Sequence, residues 1–151
     1  MIDDNIAELL HIYDQPVYLP DDSDVNNVIP KGGFRQHVLV MVQAEDLNAE
    51  NEMLLTKMLA ACQFDEQDYY IIKSQQEMVL PLINRFSPDT VLLFGLALNS
   101  AVFNSLKEKY EPFRFAGTKF LLCDSLTLIS NTPTLKSALW TNGLKPLFNI
   151  N

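Results

Sequence analysis

Short apolar runs alternate along this chain with segments whose apolar residues recur every three or four positions. The runs at 38–42, 69–72 and Thr90–Phe94 are almost continuously apolar, which is typical of strands buried on both faces of a sheet. The segment at 47–63 has helical spacing instead. Its predicted inner face consists of Met53, Leu54, Met58, Leu59 and Cys62. This alternation predicts a mainly parallel sheet of four or five strands within a three-layer α/β/α sandwich.

The middle of the chain contains two more predicted helices and a further pair of strand-like runs. Ser74 is expected to cap a helix at 75–86, whose internal proline would interrupt it or delay its start. Another helix is predicted at 99–110. The runs at 113–116 and 119–123 flank a glycine, so they form either a hairpin or a fourth strand with a bent lead-in.

The C-terminal stretch, residues 126–140, reads LTLISNTPTLKSALW. Its first four residues are predicted to form a strand. Thr132 is expected to cap the helix that follows, with Pro133 at the first helical position, where a missing amide proton costs nothing. The predicted inner face of this helix carries Leu135, Ala138 and Leu139, with Trp140 beside them. The pattern therefore predicts a short C-terminal helix that packs on the core.

Charge divides the chain into an acidic arm and a nearly neutral domain. The first thirty residues contain seven of the 19 acidic side chains and none of the 11 lysines and arginines. We expect residues 1–33 to form the arm, with a short amphipathic helix at 3–13 and a linker at 14–33, and residues 34–151 to form one α/β domain. The candidate anchors in the arm are Ile6, Leu9, Leu10, Tyr13, Val17, Tyr18 and Leu19. The arm either folds back onto the domain or is a peptide that orders when it binds a partner.

Composition narrows the classes of function. No apolar run approaches the ~20 residues of a membrane span, and the N-terminal aspartates do not suit a signal peptide, so we expect a cytoplasmic protein. The chain has no clearly basic segment, so direct binding to nucleic acid is not expected. Cys62 and Cys123 are predicted to be buried free thiols. The sequence contains no metal-ligand spacing, phosphate loop or nucleophile motif, so we expect no metal, no cofactor and no catalytic residue.

Polar residues after the predicted strands define a candidate crevice. In open α/β sheets, ligands collect beyond the carboxyl ends of the strands. The crevice candidates at that edge are Gln43, Glu45, Asp46, Asn99 and Asn131. Because Glu45 and Asp46 are adjacent, we expect them mainly to cap and charge the helix that follows them.

Two segments of the chain resemble one protein family. Residues 126–140, in which an apolar run leads into Asn-Thr-Pro-Thr and then Lys-Ser-Ala-Leu-Trp, look like the C-terminal signature of the psi subunit of bacterial DNA polymerase III. Residues 37–47, HVLVMVQAEDL, resemble the first strand of psi proteins and the turn into their first helix. The resemblance implies a non-catalytic replication adaptor with a uracil-DNA-glycosylase-like fold. It also implies that the arm binds clamp-loader ATPase subunits and that the domain binds a chi-like subunit, which contacts single-stranded-DNA-binding protein.

Two other classes share parts of the pattern. A glycosylase-fold enzyme or a nucleotide-binding protein with an unrecognised site is one alternative. However, the turn at 43–46 lacks the proline of the glycosylase Gly-Gln-Asp-Pro-type turn, and the loop at 130–133 lacks the histidine that stabilises the departing base. The other alternative is a receiver-like domain, which residues 38–64 and the pair Lys145 and Pro146 resemble. Its third strand does not end in a phosphate-accepting aspartate, so it would be a silent pseudo-receiver.

Overall fold

A six-stranded mixed sheet forms the centre of the fold, and the computed structural model describes residues 28–96 and 109–150. The predicted helix at 3–13 and most of the predicted helix at 99–110 lie outside these described residues. The same is true of the arm candidates Ile6, Leu9, Leu10, Tyr13, Val17, Tyr18 and Leu19 and of the crevice candidate Asn99.

The strands are β1 (Lys31–Gly32), β2 (Val38–Gln43), β3 (Tyr69–Ser74), β4 (Thr90–Phe94), β5 (Phe113–Phe115) and β6 (Thr118–Cys123). Their order across the sheet is β1-β3-β2-β4-β6-β5. The four central strands are parallel, and β1 and β5 pair antiparallel at the two edges. The predicted strands at 38–42, 69–72 and 90–94 are confirmed, and β5 with β6 forms the hairpin that was one of the two alternatives.

The predicted number of strands, four or five, is too low because the short edge strand β1 has no apolar signal. It consists of a lysine and a glycine within the predicted linker and is held by backbone pairing to β3. Gly32 has φ +119°, and a Cβ atom there would lie 2.0 Å from the carbonyl oxygen of Tyr69. Only glycine therefore allows the chain to approach β3 this closely.

The helices are α1 (Ala49–Ala61), α2 (Val79–Phe86), α3 (Leu126–Asn131), α4 (Pro133–Ala138) and α5 (Lys145–Phe148). A π-helical segment, Leu139–Leu144, joins α4 to α5, and single 3₁₀ turns at Ala44–Asp46 and Gln76–Met78 precede α1 and α2. Within the described part of the chain, no helix has the length and apolar character that crossing a membrane requires.

Alternate residues of the central strands face two separate hydrophobic clusters, one on each side of the sheet. Val38, Val40 and Val42 pack in the cluster that also contains residues of α1, α3 and the C-terminal helices. Leu39 and Met41 pack in the other cluster, together with the inner face of α2. The predicted α/β class is confirmed, and helices cover both faces of the sheet.

The inner face of α1 differs from the predicted one. Leu55 is fully buried, whereas Met53 is 62% exposed, so the placement of Met53 on the inner face is wrong. The buried residues Asn51, Leu55 and Leu59 recur every four positions, and Met53 lies between them on the opposite side of the helix. The inner face of α1 includes the buried polar residue Asn51, whereas the prediction considered apolar residues alone.

The predicted strand at 126–129 is wrong, because these residues form helix α3. Leu126 and Ile129 are buried, and Leu128 between them is 47% exposed, which is helical spacing. The Ser125 side chain accepts a hydrogen bond from the Leu128 amide at 3.2 Å and caps the helix. Ser125 ahead of an apolar run is a start signal that the sequence contains.

Two predicted capping residues do not cap. Ser74 ends β3, and its hydroxyl donates to the carbonyl of Gln75. Of the two alternatives for the helix at 75–86, interruption or a late start, the late start is confirmed, because α2 begins only at Val79. Thr132 occupies the N-cap position of α4, but its side chain makes no capping bond.

The predicted packing of the C-terminal helix is confirmed. Pro133 lies at the start of α4, where its missing amide proton costs nothing. Leu139 is buried, and Leu135, Ala138 and Trp140 pack against the same cluster.

Candidate functional site at the carboxyl edge of the sheet

The topological switch point, where a crevice is expected, lies at the carboxyl ends of β2 and β4. The chain passes from β2 to β3 on one side and from β4 to β6 on the other, so these two adjacent strands form the topological switch point. Gln43 ends β2 and Gly95 follows β4. Gly95 has φ +73°, and a Cβ there would lie 3.1 Å from Gln43 Oε1 and 3.4 Å from Ser125 Cα. The Gln43 side chain and the backbone before α3 therefore fill the space above Gly95.

The carboxylate of Asp46, one of the crevice candidates, caps helix α3. Its Oδ2 accepts a hydrogen bond from the Leu126 amide at 2.5 Å. Its Oδ1 accepts from the Thr127 amide at 3.2 Å and from the Thr127 hydroxyl at 2.6 Å. Asp46 is only 9% exposed, so these bonds form largely away from water. A carboxylate at the start of a helix also interacts favourably with the helix dipole.

Asn51 extends this network to the long helix α1. Its Nδ2 donates to the Asp46 carbonyl at 2.6 Å, to Asp46 Oδ1 at 3.3 Å and to the Thr127 hydroxyl oxygen at 3.0 Å. Asn51 is 5% exposed, and a buried amide without such partners would be costly. The three side chains therefore join the turn after β2 to the start of α1 and the start of α3.

A second polar cluster surrounds Asp124 at the end of β6. Asp124 Oδ1 accepts from Lys109 Nζ at 2.5 Å, and Oδ2 accepts from the Tyr110 hydroxyl at 2.6 Å. Burial alone would raise the pKa of Asp124, but the hydrogen bonds from Lys109 and Tyr110 outweigh it and hold the pKa below its ordinary value. Burial, and then the bond to Asp124, raise the pKa of the Tyr110 phenol. At neutral pH the Asp124 carboxylate is ionised and accepts hydrogen bonds from Lys109 and Tyr110. These bonds hold residues 109–110 beside the end of β6.

Two other crevice candidates that the structure describes, Glu45 and Asn131, form no hydrogen bond with the Asp46 network. Glu45 lies in the 3₁₀ turn and is exposed. Asn131 is exposed at the far end of α3, about 7 Å along the helix axis from Leu126. Asn99 lies outside the described residues. Of the four candidates that the structure describes, Gln43 and Asp46 lie at the two ends of one short turn, and Asp46 alone belongs to the network.

The expectation that Glu45 and Asp46 cap the next helix is wrong for Asp46. Asn48 caps α1, because its Oδ1 accepts from the Asn51 amide at 2.9 Å. Asp46 instead caps a helix that begins 80 residues later. A local sequence pattern cannot reveal a hydrogen bond between residues 80 positions apart along the chain. For the same reason the sequence does not identify Asn51 or Thr127 as partners of Asp46.

The pair that resembles a receiver motif lies away from this edge. Lys145 and Pro146 begin helix α5. Pro146 lines a surface notch together with Lys119, and Lys119 pairs with Thr90, the first residue of β4. The pair is therefore near the amino ends of the parallel strands, opposite the end at which Gly95 lies. This position does not suit a receiver-like site.

The chemistry of the described carboxyl edge is dominated by contacts between its own side chains. Asp46 and Asp124 are both occupied by donors from the chain, and the described residues contain no group of three potential metal ligands. The arrangement can fix α1, α3 and residues 109–110 against the sheet. Comparison with models of known protein families finds no match for this chain, and a search of curated proteins finds none either.

Proposed function

We propose that this protein is a non-catalytic, cytoplasmic adaptor of the DNA replication machinery, similar to the psi subunit of bacterial DNA polymerase III. The observation that carries the proposal is the use of the Asp46 carboxylate. A glycosylase needs an aspartate in the turn after the first strand of its parallel sheet to orient water, whereas here that turn supplies a helix cap. A carboxylate engaged by the Leu126 and Thr127 amides suits a structural role.

The resemblance in sequence supports the same proposal. The psi-like residues 126–140 form α3, α4 and the start of the π-helical segment, and Leu126, Ile129 and Leu139 within them are buried in the core. The proposal includes a uracil-DNA-glycosylase-like fold, with which four parallel central strands and helices on both faces are compatible.

In the proposed adaptor, the acidic arm binds clamp-loader ATPase subunits and the folded domain binds a chi-like subunit. The arm combines seven carboxylates with apolar side chains, a composition suited to a basic surface with apolar pockets. Burial of each anchor would contribute roughly 1.5–3 kcal/mol before the cost of ordering. The candidate anchors are Ile6, Leu9, Leu10, Tyr13, Val17, Tyr18 and Leu19.

The direct test is affinity capture from the native cell lysate with the whole chain as bait and mass spectrometry as readout. We expect clamp-loader ATPase subunits to be captured by the wild type. The double substitution Leu9→Ser and Leu10→Ser removes two anchors and should weaken binding by about a hundredfold or more. Asn26→Ser and Asn27→Ser is the matched control in the same arm and should leave capture unchanged. Failure of the wild type to capture any clamp-loader subunit would contradict the proposal.

A second experiment separates the adaptor from the glycosylase alternative. Wild-type protein in excess over uracil-containing DNA should release no uracil, and native mass spectrometry should detect no bound nucleotide. Release of a base by the purified wild type, lost in the Asp46→Asn variant, would instead assign Asp46 a role in catalysis. That result would replace the adaptor proposal with the enzyme.

A further inference from the structure

A surface notch of about 500 Å³ lies between the β5–β6 hairpin and helix α5. Its walls are apolar on both sides, with Pro112 and Phe113 from the hairpin and Pro146 and Leu147 from the helix. The polar groups that line it are Arg114, Lys119 and Asn149.

The two cations in the notch are adjacent, and neither has an ionic partner among residues 28–96 and 109–150. Arg114 and Lys119 are directly opposite in the antiparallel register of β5 and β6. Such residues have their Cβ atoms about 4.5–5.5 Å apart, and like charges at that distance destabilise the pair. Neither side chain forms a hydrogen bond or ion pair with any residue that the structure describes.

The neighbouring carboxylates that the structure describes form no ion pair with these two cations. The Lys119 amide donates to the carbonyl of Asp89, and Glu111 precedes Pro112, but the described ion pairs include neither of these carboxylates. By contrast, Lys31 and Lys109 both pair with carboxylates. The notch therefore has the chemistry of a site for an acidic segment with apolar side chains.

We propose that the notch is a docking site for the acidic N-terminal segment of this same chain, residues 1–27. That segment has the complementary composition, since it contains seven carboxylates, no lysine or arginine, and apolar residues to contact the proline and leucine walls. The described chain begins at Val28, whose carbonyl accepts a hydrogen bond from Arg85 at 3.0 Å. From there, 27 residues can span up to ~90 Å, several times the ~14 Å radius of gyration of a domain of this size. Reach therefore does not limit the docking.

Docking in the notch would engage the same carboxylates and apolar side chains of the arm that a partner would bind. A partner with a more basic surface would therefore compete with the notch for the arm. This inference depends on the charge and apolar content of the arm and not on the identity of the partner. A failure to find clamp-loader subunits would leave it standing.

The experiment is zero-length cross-linking of the full chain with a carbodiimide, which joins a lysine amine to a carboxylate in direct contact. Equal amounts of unlabelled and ¹⁵N-labelled protein are mixed, so that links within one chain are distinguished by mass from links between copies. We expect links from Lys119 to carboxylates of residues 1–27 within one chain, in clear excess over links from Lys57, an exposed lysine on α1. The excess should disappear at 1 M salt, where the screening length falls to about 3 Å.

Two substitutions in the full chain complete the test. Arg114→Glu places a carboxylate opposite Lys119, which should keep the hairpin folded and should lower the yield of Lys119 links to the arm by roughly fivefold. Lys136→Glu, at an exposed position on α4, is the matched change of charge and should leave that yield unchanged. Equal yields from Lys119 and Lys57, an unchanged yield in Arg114→Glu, or links only between copies would each overturn the proposal.

Discussion

Removal of the Asp46 carboxylate is expected to destabilise the protein far more than removal of its neighbour Glu45. In Asp46→Ala, the Leu126 amide loses its 2.5 Å partner in a place where Leu126 is fully buried. The Thr127 amide and hydroxyl also lose the Asp46 carboxylate as acceptor, but Thr127 is exposed, so water can replace the carboxylate there.

The expected magnitude follows from these contacts. Loss of a helix cap costs about 1 kcal/mol, and a buried amide left without a partner costs about 1–3 kcal/mol more. The sum is about 3 kcal/mol of the free energy of unfolding. For a chain of this size, that corresponds to a fall in Tm of about 6–12 °C.

The assay is urea denaturation followed by circular dichroism, with Asp46→Ala, Asp46→Asn and Glu45→Ala compared with the wild type. Asp46→Asn keeps one acceptor oxygen and should lose about half as much stability as Asp46→Ala. Glu45→Ala should remain within about 0.5 kcal/mol of the wild type, because Glu45 is exposed in the 3₁₀ turn. An Asp46→Ala variant as stable as Glu45→Ala would refute the reasoning that this carboxylate holds α3 in place.

Three further predictions concern backbone strain, thiol burial and pH. Ser87 follows α2 in the left-handed region, with φ +46°, so Ser87→Gly should stabilise the protein by about 1 kcal/mol. Ser137→Gly within α4 is the control and should destabilise the protein by roughly 0.5 kcal/mol. Thermal melts in which both variants shift the Tm in the same direction would contradict the assignment of backbone strain to Ser87. Burial raises the pKa of the Cys62 thiol to about 11 and also raises the pKa of the Cys123 thiol. Neither thiol should therefore react with a disulfide reagent at pH 8 until urea is added. Prompt labelling of the native protein would disprove the burial of the thiols. The folded pKa of Asp124 is lowered, so the stability that its charge contributes is present above the unfolded pKa of about 3.9 and is lost as pH falls through the folded pKa. The Tm difference between wild type and Asp124→Asn should therefore narrow between pH 6 and pH 3, and a constant difference would argue against the ion pair.

Elements that depend on contiguous residues could be predicted from the sequence. The central strands follow from runs of apolar residues, and α4 begins at Pro133 as the sequence predicts. The inner faces were harder to predict, because α1 turns toward α3 through the buried amide of Asn51 and not through Met53. The strand predicted at 126–129 failed for a related reason, since short apolar runs suit a strand or a helix equally well.

The candidate site shows the same division. The sequence correctly located Gln43 and Asp46 at the end of the first long strand, where polar residues follow an apolar run. It did not predict that the Asp46 carboxylate would accept the amides of Leu126 and Thr127, because no local pattern relates residues 80 positions apart.

The sequence by itself determined which residues form the four central strands and the acidic composition of the first thirty residues. These properties depend on side chains that are near one another along the chain. The tertiary structure decided the pairing of Lys31–Gly32 with β3, the helical state of α3, the partners of Asp46 and the meeting of Arg114 and Lys119 with Pro146 in one notch. Each of these depends on groups that only folding brings within bonding distance, because a backbone edge, a carboxylate or a cation takes its partner from whatever the packed layers place beside it.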